Sequence, residues 1–190
     1  MRRTLTFTAI ALLMTGCATA SKPGAMAAEI TDATIISADS KLRGSVSMAD
    51  VEGGKSTNPL WSSQVSNEDF KEALRQSLAS HAMLADGEGR YTLTAELMKL
   101  KQPFAGLDMS VTSTVKYTLM DTETGEVVFV DEVAEKYTAK MGDALVGVKR
   151  LQLANEGSIK SNIGTMLKRM IETIDSESVN IADINIQVFG

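Results

Sequence analysis

Apolar and polar residues alternate through the middle of this chain. Tyr91, Leu93, Ala95 and Leu97 alternate with Thr92, Thr94, Glu96 and Met98. Met109, Val111, Val115, Tyr117 and Leu119 alternate with Ser110, Thr112, Thr114, Lys116 and Thr118. After Asp121-Thr-Glu-Thr-Gly125, the run 126–137 places Val127, Phe129, Asp131 and Val133 on one parity. Period-two segments joined by short glycine-containing turns predict antiparallel hairpins with one dry and one wet face. Upstream, Val46 and Met48 share a parity and predict a first strand within 41–51. A loop rich in turn residues follows over 52–61.

Two stretches have the helical period instead. Ser66 opens the first, where its hydroxyl can cap free backbone N–H groups and Asp69 can answer it three residues on. Phe70, Ala73, Leu74, Ser77, Leu78 and His81 then share a face, opposite Lys71, Glu72, Arg75 and Gln76. The second helix is expected over about 142–173, with the stripe Leu151, Ala154, Ile159, Ile163, Met166, Leu167 and Met170. Gly147, Gly157 and Gly164 each weaken it by up to about 1 kcal/mol relative to alanine, so its first part is either irregular or close-packed. The tail carries a partial alternation, Ile184, Ile186 and Val188, that predicts one more short strand. The order is β-α-β-β-β-α(-β), an α+β fold: a small antiparallel sheet of four or five strands with two helices packed on one face.

The N-terminus reads differently. Met1-Arg2-Arg3 precedes an uncharged run, residues 5–14, and then Thr15-Gly16-Cys17. A cationic start, a short apolar core and small residues describe a secretory signal peptide; about 20 apolar residues would be needed to span a bilayer. The poor fit of the residues after Arg2-Arg3 to a twin-arginine signal favours the general secretory route. Met14-Thr15-Gly16-Cys17 resembles the lipobox of bacterial lipoproteins. That resemblance implies cleavage between Gly16 and Cys17, a diacylglyceryl group on the Cys17 sulfur and an acyl group on its nitrogen. Two or more chains make membrane attachment stable. Ala18, where retained inner-membrane lipoproteins carry aspartate, implies the outer membrane, facing the periplasm. The domains expected are a signal peptide over 1–16, a lipidated N-terminus and flexible tether over 17–40, and one periplasmic domain over 41–190. No other cofactor is expected.

Composition narrows the partners. The chain has 190 residues, 19 Lys and Arg against 24 Asp and Glu, and a net charge of −5; losing Arg2 and Arg3 with the signal makes it −7. The balance is acidic and Lys and Arg are not expected to cluster into a patch, so nucleic acid and, on bulk charge, anionic headgroups are poor partners. Cys17 is the one cysteine and His81 the one histidine, so neither a disulfide nor a zinc or copper site is expected. The turn 121–125 lacks the spacing of a calcium loop and reads as a solvated hairpin turn.

Two segments exceed what a plain domain needs. The loop 100–109 has an apolar tip at Pro103, Phe104 and Leu107. Either Phe104 folds back on the core, or the tip is a contact point for a lipid or a protein. In the stretch 149–163, Asn155 and Asn162 lie seven apart near the apolar stripe, with Glu156 farther round. They either cap sheet ends or line a groove between helix and sheet. The runs Gln102–Thr112 (QPFAGLDMSVT) and Arg150–Gly157 (RLQLANEG) resemble a group of proteobacterial outer-membrane lipoproteins of unassigned role. Some of that group are labelled UDP-N-acetylglucosamine acyltransferase. The acyltransferase of that name is built from hexapeptide repeats around a histidine base, and this chain has no such repeat. In element order the chain also resembles lipopolysaccharide-assembly and YajG-type lipoproteins. The function expected is that of a non-catalytic, lipid-anchored envelope protein that engages an assembly or transport protein, or a glycolipid. The competing expectation is an envelope acyltransferase acting on a UDP-sugar or lipid precursor, for which His81, Asp108 or Glu156 would supply the base.

Overall fold

A computed structural model describes residues 20–55 and 64–188, with side chains described as far as Ser176. The expected signal peptide, Gly16/Cys17 cleavage site and Cys17 lipidation site lie outside the described residues.

The sheet has four strands in chain order: β1 (Val46–Glu52), β2 (Tyr91–Lys101), β3 (Met109–Asp121) and β4 (Val127–Ala139). β2, β3 and β4 form the expected antiparallel meander, with Leu93 opposite Leu119 and Val115 opposite Val133. β1 departs from expectation, because it pairs parallel to β2, Val46 opposite Tyr91. Between them runs α2 (Asn67–Ser80), which carries the chain back to the end where it started. A helical crossover of that length is what a parallel neighbour requires. The sheet is therefore mixed.

One parity of β2 and β3 faces inward: Tyr91, Leu93, Ala95 and Leu97, then Val111, Val115, Tyr117 and Leu119, all buried. α2 and α3 (Gly147–Val188) cover that face. Ser66 caps α2 as expected, its Oγ accepting from Asp69 N at 3.1 Å and donating to the Asp69 carboxylate at 2.8 Å. All seven residues of the α3 stripe are buried. The C-terminal strand is not formed, because α3 continues through the tail to Val188. Three alternating apolar residues are too short a run to overrule a helix already propagating.

Two glycines of α3 separate close packing from mere weakness. A Cβ on Gly157 would stand 2.4 Å from the Tyr137 ring of β4, whereas one on Gly164 would meet nothing within 4 Å. Gly164→Ala is expected to raise stability by about 1 kcal/mol through helix propensity. Gly157→Ala is expected to lower stability despite the same gain, because the ring must move off the helix. Urea midpoints of the two variants measure both signs.

The stretch expected as a tether is largely packed. α1 (Pro23–Met26) and a 3₁₀ turn over 32–34 lie against the helices, and Met26, Ala28, Ile36 and Leu42 join the main core. Ala28 N donates to Ser77 Oγ of α2 at 2.9 Å, and Ser40 Oγ donates to Asp175 of α3 at 3.0 Å. These contacts are side-chain specific and carry no periodicity, so pattern reading passes over them.

The turn after β3 closes on itself. The Asp121 carboxylate accepts from Glu123 N at 2.9 Å and Arg90 Nε at 3.0 Å, and Gly125 takes the left-handed φ of +74°. Burial pushes the Asp121 carboxyl upward, but those hydrogen bonds and the Arg90 charge outweigh it and hold it below its ordinary value. The turn is a hairpin turn, as its spacing implied.

Candidate functional site

The catalytic candidates are apart. His81 is buried at the C-terminus of α2, where Nδ1 lies 2.6 Å from Ser77 O and Nε2 3.1 Å from Thr34 Oγ1. It ties the N-terminal segment to the helix. The Asp108 carboxylate accepts from Met141 N at 2.9 Å, and Glu156 accepts from Lys22 N at 2.9 Å and Gln152 Nε2 at 2.8 Å. None of the three is hydrogen-bonded to another in the described residues, and no group of His, Cys, Asp and Glu there could hold a metal ion.

Of the three residues expected to line a groove between helix and sheet, Glu156 borders a surface cavity with Tyr137, Leu153 and Lys160, while Asn155 and Asn162 turn into the helix–sheet contact. All three are buried. Asn162 lies between α3 and the sheet, where its Oδ1 accepts from Tyr117 Oη at 2.8 Å. Its Nδ2 points at Val133 O, 2.8 Å away, and at Ser113 O, 3.3 Å away. One turn earlier, Ser158 Oγ accepts from Ser113 N at 2.9 Å and reaches Glu135 O at 3.0 Å. The helix thus bonds directly to facing residues of β3 and β4. Burial holds the Tyr117 phenol far above its ordinary pKa, and the Asp131 charge adds to this. The phenol is a neutral donor at any working pH. Asn155 accepts from Gln102 Nε2 at 2.8 Å, and the Gln102 Oε1 accepts from Gln64 at 3.2 Å. Glu156 holds down the N-terminal segment. This polar layer is structural.

The apolar loop is different. Phe104 is 106% exposed and Leu107 71% exposed, while Pro103 is half-buried. Phe104 therefore does not fold back on the core. The sequence reading missed its companions. The connection from β4 to α3 comes to the same end of the sheet and exposes Met141, Leu145 (90%) and Val146. Arg150, buried in the first turn of α3, joins the two loops. Its Nη1 donates to Ala144 O at 2.6 Å and Leu145 O at 3.0 Å, and Nη2 donates to Gly106 O at 3.4 Å. The Met141–Asp108 bond makes a second tie. Under the loops sits a small separate core of Met109, Val111, Ala139, Leu151 and Ala154. The apolar tips are thus a braced cap rather than loose loop ends. Nothing in the spacing of 141–146 marked those residues, because the cap is made by two loops 40 residues apart in sequence meeting at one sheet end.

The fold also sorts charge. Lys99, Lys101, Lys140 and Lys149 stand exposed around the cap, with Asp108 and Asp143 both engaged by backbone N–H groups. The opposite end of the sheet carries Asp86, Glu88, Asp121, Glu123 and Glu126.

No protein-family model matches the chain, and no curated protein matches it in sequence. Its fold is that of protein XCC0632 from Xanthomonas campestris, of the DUF330 family. The two superpose with a TM-score of 0.60 at 10% identity, over 84% of this chain and 99% of that one. A candidate lipoprotein from Caulobacter crescentus CB15 is similar with a TM-score of 0.50 at 12% identity, over 70% of this chain and 93% of that one. At such identities the likeness establishes a shared α+β fold.

Proposed function

We propose that this protein is a lipid-anchored accessory protein of the bacterial envelope, held through Cys17 at the periplasmic side of the outer membrane, that works by binding at its braced apolar cap and not by catalysis. One observation carries this reading: Phe104, Leu107 and Leu145, the most exposed large apolar side chains among the described residues, stand together on two loops fixed by a buried arginine. Holding such residues in water against folding's general drive to bury them argues for an occupant. The lipobox-like Met14–Cys17 supports the anchor, and the lipoprotein designation of the Caulobacter neighbour agrees with it. The occupant class is an envelope component, a protein or a lipid.

Phe104→Ser should leave the unfolding midpoint unchanged, since the side chain touches no core, yet fail to complement the envelope defects of a deletion strain. Cross-linked pull-downs of the lipidated protein, set against Cys17→Ala, should lose their envelope component in the same variant. Full complementation by Phe104→Ser sinks the proposal.

A further inference from the structure

We propose that the cap docks on a lipid leaflet, the one that holds this protein's own anchor, so that the domain sits cap-down on the membrane. This rests on the Cys17 anchor of the preceding section and names the occupant of the same site. Three independent features converge on it.

The first is where the N-terminus enters the fold. Gln152 Nε2 of α3 donates to Ala20 O at 2.9 Å, and Ser21 N donates to Gln64 O at 3.3 Å. The Gln64 side chain in turn meets Gln102, the residue just before Pro103 and Phe104. The chain is thus pinned beside the base of the cap, on the first turns of α3. Cys17 is three residues before Ala20, and an extended chain covers at most about 11 Å in three steps. A leash that short holds the lipid-bearing residue at the cap end and cannot let the domain stand off from the bilayer.

The second feature is shape and polarity. Phe104, Leu107, Met141, Leu145 and Val146 are exposed on two loop tips, and none of them lines one of the main surface cavities among the described residues. Side chains that protrude singly suit the boundary of headgroups and acyl chains, where apolar groups bury some 5–10 Å deep. The third is charge. Lys99, Lys101, Lys140 and Lys149 outnumber the cap's own Asp108 and Asp143, while Asp86, Glu88, Asp121, Glu123 and Glu126 lie at the far end of the sheet, an orientation that an anionic leaflet favours. Long lysine stems can keep their ammonium groups at headgroup level as the tips enter.

The test uses the lipidated protein reconstituted in vesicles of phosphatidylethanolamine and phosphatidylglycerol. With Cys17 blocked by its lipid, an introduced cysteine is the only free thiol and takes an environment-sensitive fluorophore. Phe104→Cys and Leu145→Cys report from the cap, and Val127→Cys from the opposite end of β4; all three positions are exposed. The cap labels should shift to the blue and be quenched several-fold more strongly by lipids with nitroxides on their acyl chains than the label at 127. That difference should shrink when phosphatidylglycerol is replaced by phosphatidylcholine or when salt is raised. Equal, weak quenching at all three positions overturns the inference. So does a photo-crosslinker at 104 that captures a protein in cells while the vesicle labels stay unquenched, although the binding role of the cap then stands. Mass spectrometry of Cys17 reports separately on the anchor: an unmodified cysteine removes the premise rather than the docking geometry.

Discussion

Replacing Asn162 by leucine is expected to destabilise the protein by roughly 3–5 kcal/mol, because several buried polar groups lose their partner at once. Leucine has the branched shape of asparagine with bulkier methyl ends, so no cavity forms, and the loss combines missing hydrogen bonds with overpacking. The Tyr117 hydroxyl, the Val133 carbonyl and the Ser113 carbonyl all meet the Asn162 amide in a dry interface. Leucine leaves them facing hydrocarbon, and a buried polar group without a partner costs about 1–3 kcal/mol. Tyr117→Phe alone should cost less, since it orphans only one amide oxygen. The double variant Tyr117→Phe/Asn162→Leu should cost less than the two single losses added together, since the phenol is no longer there to be stranded. Urea unfolding of the three variants gives the coupling directly. Full additivity would show that the layer does not act as a unit.

That layer shows how far the sequence could be read. The positions of Asn155 and Asn162 beside the apolar stripe were visible, and so was their oddity. Whether a polar residue at a stripe edge faces a groove or a facing strand depends on which rows of β3 and β4 the helix crosses, and no local pattern carries that. The strands of the meander were legible because their alternation is long and one face is buried. The direction of β1 was also within reach: a strand, a 14-residue helix and a strand in succession make the βαβ arrangement that favours parallel pairing. Its weak two-residue parity and its bulge between Met48 and Val51 obscured it. The cap was half legible. Phe104 stood out because a Pro-Phe tip in a hairpin loop is unusual, while Leu145 and Val146 fell inside the helix expected from about residue 142. Their exposure follows from α3 beginning at Gly147 rather than 142, which leaves them in the connection and outside the core-facing helix.

The segment 20–42 supplies the other large effect. Substituting it with a glycine-serine chain of equal length should abolish cooperative unfolding, and Met26→Ala alone should cost about 2–5 kcal/mol. A flexible tether would tolerate both, since a random coil contributes no contacts to lose. Here the segment buries Met26 and Leu42 completely, satisfies Ser77 and His81 of α2, and bonds Glu156 and Gln152 of α3. Its loss therefore strips apolar cover from both helices and takes a hydrogen-bond partner from four buried polar side chains on them. Circular dichroism and a urea titration decide the matter, and an unchanged midpoint would restore the tether. The consequence reaches beyond stability. Each residue of this segment that packs on the domain is a residue withdrawn from the leash, and the first pinned carbonyl is already that of Ala20. On the proposed anchoring, a lipid on Cys17 would have no slack with which to present the domain at a distance, so the end of the sheet that bears the cap is the end it would bring to the membrane.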